Sequence, residues 1–327
     1  AAADERVDAL LCGGDLYEHE RFSPDTAAFV RGVFADLHPL PVFLAPGNHD
    51  WYGPQSLYAQ VDWTDNVHLF TADRMEPVPL ADGLTLWGAA HRAPANTDGF
   101  LDAFTVDRGG VNLALFHGSE RGGFLRQEEG KAPHAPFQAS QIAESGLDHA
   151  FLGHHHRPTD ALRHTYPGNP DPLTFGEDGD RGLVLATVAP DGSVHRERRR
   201  VGLTRIHDRH LDVTGCASQQ EVRGRILRWS AGREGLGRVT LTGDLEPEVD
   251  LRPAELEREV AGGLDALLVR VGTLRTAYDL ETLAAEPTVR GAFVRDVRAA
   301  DLGEDERRRV LMTGLRALAG RDDLEVV

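Results

Sequence analysis

Short apolar segments that end in glycine-rich or polar turns dominate the first half of the chain. They are predicted as strands at residues 7–12, 42–45, 84–89, 111–116 and 150–152. Runs of this length between turn residues are typical of buried strands. Residues 182–188 and 194–201 predict a closing antiparallel pair around the Asp191-Gly192 turn.

Helices are predicted between these strands. Ser23 and Pro24 supply an N-cap and a first helical position. Apolar side chains of the helix that follows recur at helical spacing and predict one shared face, formed by Phe29, Val33, Phe34 and Leu37. A short helix is predicted at 140–145. Strands that alternate with helices predict an α/β fold.

The pattern changes near Leu203. Residues 204–213, 219–229 and 238–241 predict a strand, a helix and a strand. From Pro253 onward the chain is predicted to be mostly helical, with helices at 253–261, 279–284, 289–299 and 304–319. We therefore expect three parts: a large α/β domain at 1–202, a small α+β domain at 203–275 and a helical segment at 276–327.

Composition and charge narrow the classes of protein. Hydrophobic residues make up 41% of the 327 positions, so the chain can bury a core. We find no apolar run long enough for a membrane helix and no signal-peptide pattern, and the two distant cysteines predict no disulfide framework, so we expect a cytoplasmic protein. The net charge of -17 argues against strong unaided DNA binding but is compatible with a nuclease whose metal ions supply local positive charge.

Four polar motifs each follow an apolar strand. They are Gly13-Gly14-Asp15, Gly47-Asn48-His49-Asp50, His117-Gly118 and Gly153-His154-His155-His156. Ligands of open α/β sheets bind beyond the carboxyl ends of strands, so these motifs are expected to converge on one site. Imidazole and carboxylate groups together suit a pair of transition-metal ions of the kind used in phosphoryl chemistry.

In this order, the motifs resemble the pattern of calcineurin-like metallophosphoesterases. The stretches Tyr166-Pro167-Gly168-Asn169-Pro170 and Pro172-Leu173-Thr174-Phe175-Gly176-Glu177 resemble the SbcD-type DNA repair nucleases in particular. The resemblance covers roughly the first 200 residues. It implies a β-sandwich flanked by helices in four αββα layers, followed by a capping domain and C-terminal helices.

The resemblance also implies roles for individual residues. Asp15 is expected to bridge two metal ions, and His156 to bind the first ion. Asn48, His117 and His154 are expected to bind the second ion. His49 is expected to stabilise the transition state or protonate the leaving oxygen, with Asp50 orienting it. Two divalent ions are implied, manganese first, with magnesium, iron or zinc as other candidates.

One motif of this family is missing from the printed sequence. Family members begin with a strand that ends in Asp-x-His and supplies two ligands to the first metal. The Asp-x-His sequence Asp208-Arg209-His210 lies in a predicted strand far beyond the other motifs, so we do not expect it to bind metal. We expect a longer natural protein with roughly 30–45 further residues upstream. In the sequence as given, we expect ligands for one ion.

Three functions remain open from the sequence. The first is a metal-dependent DNA exo/endonuclease in DNA repair that works with an SbcC-type ATPase and forms a homodimer. The second is a phosphoesterase for small phosphate esters or cyclic nucleotides. The third is a non-enzymatic partner subunit with an incomplete metal site. Three further features stay undecided. The apolar stripe Val289, Phe293, Val294 and Val297 suits partner docking or core packing, and His19 and His91 could line a substrate groove or serve no function. Glu18 stands where the resembling family often has aspartate, and it could equally be a solvated loop acid.

Overall fold

The computed structural model describes residues 2–19, 21–95, 98–122, 133–246, 249, 251–260, 263–276 and 278–319. The chain divides into two compact units. The first contains Ala1–Leu173 and Asp180–Leu203, and the second contains Thr174–Gly179 and Thr204–Val327. The segment Thr174–Gly179 therefore belongs to the second unit, although residues of the first unit precede and follow it in the sequence.

The first unit contains eleven strands and four helices among its described residues. The helices are α1 (Ala2–Glu5), α2 (Pro24–Ala35), α3 (Leu57–Gln60) and α4 (Ala139–Glu144). The strands are β1 (Leu10–Cys12), β2 (Val42–Leu44), β3 (Val67–Leu69), β4 (Glu76–Ala81), β5 (Leu84–Gly88), β6 (Val111–His117), β7 (His149–Gly153), β8 (Thr159–Asp160), β9 (His164–Tyr166), β10 (Gly182–Val188) and β11 (Val194–Arg200). They form a parallel sheet β1-β2-β3, a six-stranded sheet β4-β5-β6-β7-β9-β8 and the antiparallel pair β10-β11.

Alternating side chains show how the two larger sheets are layered. In β2, Val42 and Leu44 pack with Phe34 and Tyr58 from the neighbouring helices. The residue between them, Phe43, packs instead in the cluster shared with the six-stranded sheet. Successive side chains of a strand point to opposite faces, so β2 has a helix layer on one face and a second sheet on the other.

The six-stranded sheet shows the same division. Leu113 and Leu115 of β6 pack in the cluster shared with β2. Ala114 and Phe116 pack on the opposite face with Ile142 of α4. The layers are therefore helix, sheet, sheet and helix, which confirms the predicted mixed α/β architecture.

Parallel register brings the polar motifs to one edge. Cys12 at the end of β1 pairs with Leu44 at the end of β2. His117 at the end of β6 pairs with Gly153 at the end of β7. Within each sheet, the two polar turns therefore begin at the same level along the paired strands.

The second unit is built around a parallel sheet with helical connections. Its strands are β12 (Ile206–Asp212), β13 (Leu236–Leu245) and β14 (Ala266–Thr276). Its helices are α5 (Gln219–Ser230), α6 (Pro253–Val260), α7 (Leu280–Ala285), α8 (Val289–Ala299) and α9 (Glu304–Leu318). The prediction of a mostly helical chain after Pro253 was wrong for β14, whose Leu267 and Val269 are buried in the core of this unit.

The structure decides the position of two apolar faces that the sequence singled out. Phe34 of α2 is buried, but Phe29 and Val33 are 70% and 44% exposed, so the four apolar residues do not share one buried face. In α8, Val294 and Val297 are buried among residues of α7 and α9. Most of that stripe therefore serves the core. No helix in the described ranges is both long and apolar enough to cross a membrane.

The aspartate of the Asp-x-His sequence in the second unit forms a salt bridge. Both carboxylate oxygens of Asp208 on β12 accept hydrogen bonds from Arg238 on β13, one of them from Nε at 3.0 Å. The Arg238 guanidinium also lies 5.0 Å from the ring centre of Phe175, within the segment Thr174–Gly179. Arg238 holds the pKa of Asp208 below its usual range, mainly by hydrogen bonding. Asp208 therefore has a structural partner.

We expect Asp208→Ala to leave metal binding unchanged, because its carboxylate serves Arg238. The pair is only partly buried, so the free energy of unfolding should fall by about 1 kcal/mol or less. Thermal denaturation and Mn²⁺ titration would measure both effects, with Asp15→Ala as the comparison that loses metal. Loss of Mn²⁺ binding in Asp208→Ala would show that the Asp208-Arg209-His210 sequence does bind metal.

Candidate metal centre

Glycines allow the strand ends to approach each other closely. A Cβ atom on Gly13 would lie 2.7 Å from the backbone nitrogen of Gly153, and a Cβ on Gly153 would overlap the carbonyl oxygen of Gly13. A Cβ on Gly47 would overlap the Asp15 carboxylate and lie 2.7 Å from the His117 ring. Larger residues at these positions would push apart the strands that carry the polar motifs.

Four of the five predicted metal ligands meet around one atom, Nε2 of His117. This nitrogen lies 3.0 Å from Asn48 Oδ1 and 3.2 Å from Asp15 Oδ2. His154 Nδ1 lies 3.3 Å from the same nitrogen and 3.2 Å from Asn48 Oδ1. His117 and Asn48 are buried, so the cluster is sheltered from water on the protein side.

The hydrogen bond on the other side of His117 determines what this cluster can bind. His117 Nδ1 donates to the carbonyl oxygen of Gly13 at 2.7 Å. In the neutral ring, Nε2 then carries a lone pair that faces an amide oxygen, a carboxylate oxygen and a second imidazole nitrogen. These groups repel one another unless a positive charge lies among them. A proton on Nε2 could form a hydrogen bond with one neighbouring atom, whereas a metal ion could accept electron pairs from all four donor atoms, Nε2 included.

Charge coupling within the cluster appears in the acid–base properties of its members. Burial alone would raise the pKa of Asp15, but His117 and the backbone N–H of His49 outweigh it and hold that pKa well below its usual range. Burial would lower the pKa of His117, but Asp15 raises it overall. Burial and the nearby His117 lower the pKa of His154 to about 2, so His154 is neutral and can offer a lone pair.

The spacing of these atoms fits a coordinated ion. Metal–ligand bonds of about 2.1 Å place neighbouring donor atoms roughly 3.0–3.4 Å apart, as found here. Counting only His, Cys, Asp and Glu side chains, the described part of the chain contains no group of three or more that could hold a metal. The cluster depends on the Asn48 amide, which contacts both imidazoles and links them. With that oxygen included, the donor set fits a divalent ion.

Two residues of the cluster have unusual backbones. Asp15 has a φ of 59° and His154 a φ of 104°, both in the region that L-residues rarely adopt. Such conformations persist only where the surrounding contacts impose them, and they concentrate at functional sites. His154 follows β7 directly and Asp15 lies three residues after the end of β1, so the strain lies in the turns that begin at these strand ends.

His49 lies beside the cluster without joining it. Its backbone N–H donates to Asp15 Oδ1 at 3.0 Å, and its side chain is 55% exposed. Nδ1 contacts the carboxylate of Glu18 at 3.2 Å. Nε2 carries no hydrogen bond within the described residues. The ring therefore presents one nitrogen to solvent beside the cluster, where a substrate could meet it.

The predicted role of Asp50 as the carboxylate that orients His49 was wrong. Asp50 is fully buried, and its oxygens accept hydrogen bonds from the backbone of Gly47 at 2.6 Å, the backbone of Leu16 at 2.8 Å and the Tyr58 hydroxyl at 2.5 Å. Asp50 thus fastens the two loops that carry Asp15 and Asn48. The carboxylate beside His49 belongs to Glu18, which the sequence left undecided.

The neighbouring histidines after β7 point to different surroundings. His155 packs against Tyr166, with ring centres 4.7 Å apart. His156 is exposed, and its carbonyl oxygen accepts a hydrogen bond from the backbone N–H of Asn169 at 3.3 Å. The contacts described for His117 Nε2 involve Asp15, Asn48 and His154. They do not include the side chain of His156.

A second layer of imidazoles supports the cluster. His91 is fully buried, and its Nε2 donates to the carbonyl oxygen of His117 at 2.8 Å. Its ring also packs edge-on against His117, with centres 5.5 Å apart. His134, which sequence reasoning did not single out, packs against His154 at 5.5 Å. His91 therefore holds the peptide of a candidate ligand and does not line an open groove.

We expect Gly153→Ala to weaken or abolish metal binding although it changes no candidate ligand. The added methyl group would overlap the Gly13 carbonyl that His117 uses, and overpacking of this kind typically costs about 1–3 kcal/mol. Mn²⁺ titration and thermal denaturation would measure these effects. Gly32→Ala is the matched control, since a Cβ there meets nothing within 4 Å. Normal metal binding by Gly153→Ala would contradict the proposed close approach.

Comparison with known proteins agrees with this geometry. The family model of the calcineurin-like phosphoesterases matches residues 1–158. An uncharacterized metallophosphoesterase YhaO from Bacillus subtilis is 29% identical over 225 residues, which cover 65% of this chain and 53% of that protein. The DNA double-strand break repair protein Mre11 of Methanopyrus kandleri is 26% identical over 256 residues, covering 68% and 54%.

The chain spans about half the length of these curated relatives. The matched region contains both larger sheets up to β7 and the four residues gathered around His117 Nε2. Residues 1–158 therefore belong to the calcineurin-like phosphoesterase family, a family of hydrolases that bind divalent metal ions.

Proposed function

We propose that this protein is a metal-dependent phosphodiesterase that cleaves DNA. The observation that carries the proposal is the meeting of Asp15, Asn48 and His154 around His117 Nε2, beside the exposed ring of His49. Divalent ions held there would polarise a phosphate ester and supply a nucleophilic water near neutral pH. We propose manganese as the natural ion, with His156 as a ligand of the first of two metals.

The residues of the chain would divide the remaining work. Asp15, with its lowered pKa, stays ionised and offers one oxygen to the cluster while the other accepts the His49 backbone N–H. This hydrogen bond fixes His49 next to the site. In the protonated ring, Nδ1–H donates to Glu18, and Nε2–H would then donate a proton to a departing oxygen or stabilise charge on the phosphate.

DNA and a partner ATPase are proposed on the basis of resemblance. The Mre11 relative is named as a protein of DNA double-strand break repair. The stretch from Tyr166 to Glu177 resembles the SbcD-type nucleases, which supports an SbcC-type ATPase as partner. The exposed Phe29 and Val33 of α2 supply an apolar surface for the proposed homodimer. Because the whole chain is acidic, metal ions would provide much of the attraction for DNA at the site.

The decisive experiment combines metal binding with two substrates. Mn²⁺ stoichiometry is measured by titration, and hydrolysis is followed with a DNA oligonucleotide and with bis(p-nitrophenyl) phosphate. We expect both substrates to be cleaved in the presence of Mn²⁺. Cleavage of only the small ester would favour the small-phosphoester function, and Mn²⁺ binding without hydrolysis of either substrate would favour the non-enzymatic subunit.

His49→Ala should separate metal binding from catalysis. Because His49 lies outside the cluster, Mn²⁺ affinity should stay nearly unchanged, while turnover should fall by about 10²–10⁴-fold, the usual range for loss of a general acid. Equal loss of metal and of activity would instead make His49 a ligand.

Glu18→Gln should lower turnover by roughly tenfold, because the neutral amide can no longer stabilise a protonated His49. Steady-state kinetics on bis(p-nitrophenyl) phosphate would measure this change, while Mn²⁺ affinity should not move. Glu76→Gln is the matched control, since Glu76 also forms an exposed ion pair, with Arg74 at 3.0 Å. Unchanged turnover in Glu18→Gln would show that His49 acts without this carboxylate.

A further inference from the structure

A buried arginine lies behind the His154–His156 turn. Arg181 directly precedes β10, and only 7% of it is exposed. A charged side chain is buried this deeply only when its hydrogen-bonding groups are satisfied. Nη1 of Arg181 donates to the carbonyl oxygen of His156 and to Oδ1 of Asn169, the latter at 2.5 Å.

The same carbonyl oxygen is held from a second side. The backbone N–H of Asn169 donates to the His156 oxygen at 3.3 Å. Gly168, with a φ of 75°, passes so close that a Cβ there would lie 2.6 Å from this oxygen. The turn at Gly168 and Asn169 follows β9 directly, so the sheet positions it. Several contacts therefore converge on the peptide of one candidate metal ligand.

We propose that Arg181 and Asn169 are positioning residues that fix the peptide of His156 and thereby aim its imidazole at the metal site. This inference rests on the proposed function, in which His156 is a metal ligand. His156 lies two residues beyond the strained backbone of His154, so the direction of its side chain depends on how this turn is held. The Arg181 guanidinium restrains the turn by donating to the carbonyl oxygen of His156.

Arginine suits this role better than lysine. Its planar guanidinium presents several N–H groups in a fixed fork, and here it joins a backbone carbonyl to a side-chain amide. A lysine ammonium would keep the charge and part of the hydrogen bonding but would lose the fixed geometry. This assigns a purpose to the Pro167-Gly168-Asn169-Pro170 stretch, which the metal cluster itself does not use.

The test measures Mn²⁺ dependence in Arg181→Met and Arg181→Lys. Bound Mn²⁺ is followed by electron paramagnetic resonance of the free ion, and activity is followed with bis(p-nitrophenyl) phosphate. Loss of groups that orient a metal-binding histidine usually lowers metal affinity by roughly 10–100-fold. We expect a rise of that size in the half-saturating Mn²⁺ concentration for Arg181→Met, recovery of turnover at saturating Mn²⁺, and an intermediate rise for Arg181→Lys.

Arg196→Met is the matched control. Arg196 on β11 also donates to a backbone carbonyl, that of Ala161 at 2.6 Å, but this carbonyl belongs to a turn without candidate ligands. Its Mn²⁺ dependence should match that of the unchanged protein. If Arg181→Met fails to fold, Asn169→Ala removes the amide from the same contact and should raise the half-saturating concentration in the same direction.

A double mutant shows whether Arg181 acts through His156. In a His156→Ala background, Arg181→Met should produce no further change in Mn²⁺ affinity, because the residue that it positions is absent. Additive effects, or unchanged Mn²⁺ affinity in the Arg181 and Asn169 single variants, would overturn the inference and leave the proposed function intact. An unchanged protein that neither binds Mn²⁺ nor cleaves phosphodiesters would overturn the proposed function, and this inference with it.

Discussion

The candidate metal centre of the first unit depends on how four electron-rich atoms, His117 Nε2 and its three neighbours, can lie so close together. Asn48 Oδ1, Asp15 Oδ2 and His154 Nδ1 all lie within 3.3 Å of this nitrogen. The neutral His117 ring has one N–H, and Nδ1 donates it to the Gly13 carbonyl. Nε2 therefore has no hydrogen to donate to its three neighbours. Such an arrangement is unfavourable without a cation and favourable with one, which links the fold to metal binding.

The rest of the site holds these atoms in place through backbone groups. His91 donates to the His117 carbonyl, and Arg181 donates to the His156 carbonyl. Asp50 binds the backbones of Leu16 and Gly47, which joins the loops after β1 and β2. Restraining the peptide of a candidate ligand reduces the conformational entropy of the turn that carries it.

Local sequence patterns predicted the strands and the polar turns well, because each motif follows its own strand directly. Partners formed between separate loops could not be predicted in this way. Glu18 and Asp50 are both acids near His49 in sequence or space, and only the fold shows that Glu18 contacts its ring. Strand β14 was missed because its short apolar run, which includes the buried Leu267 and Val269, lies in a charged region that otherwise predicts helices.

The close approach of Gly13 and Gly153 has a consequence for how members of such a family can lose activity. A single methyl group at either position would displace the strand ends while every candidate ligand stayed in the sequence. A pseudoenzyme could thus arise by one small substitution that a comparison of ligands alone would overlook. Glycine identity at these turns is therefore as informative a marker of catalytic competence as the histidines themselves.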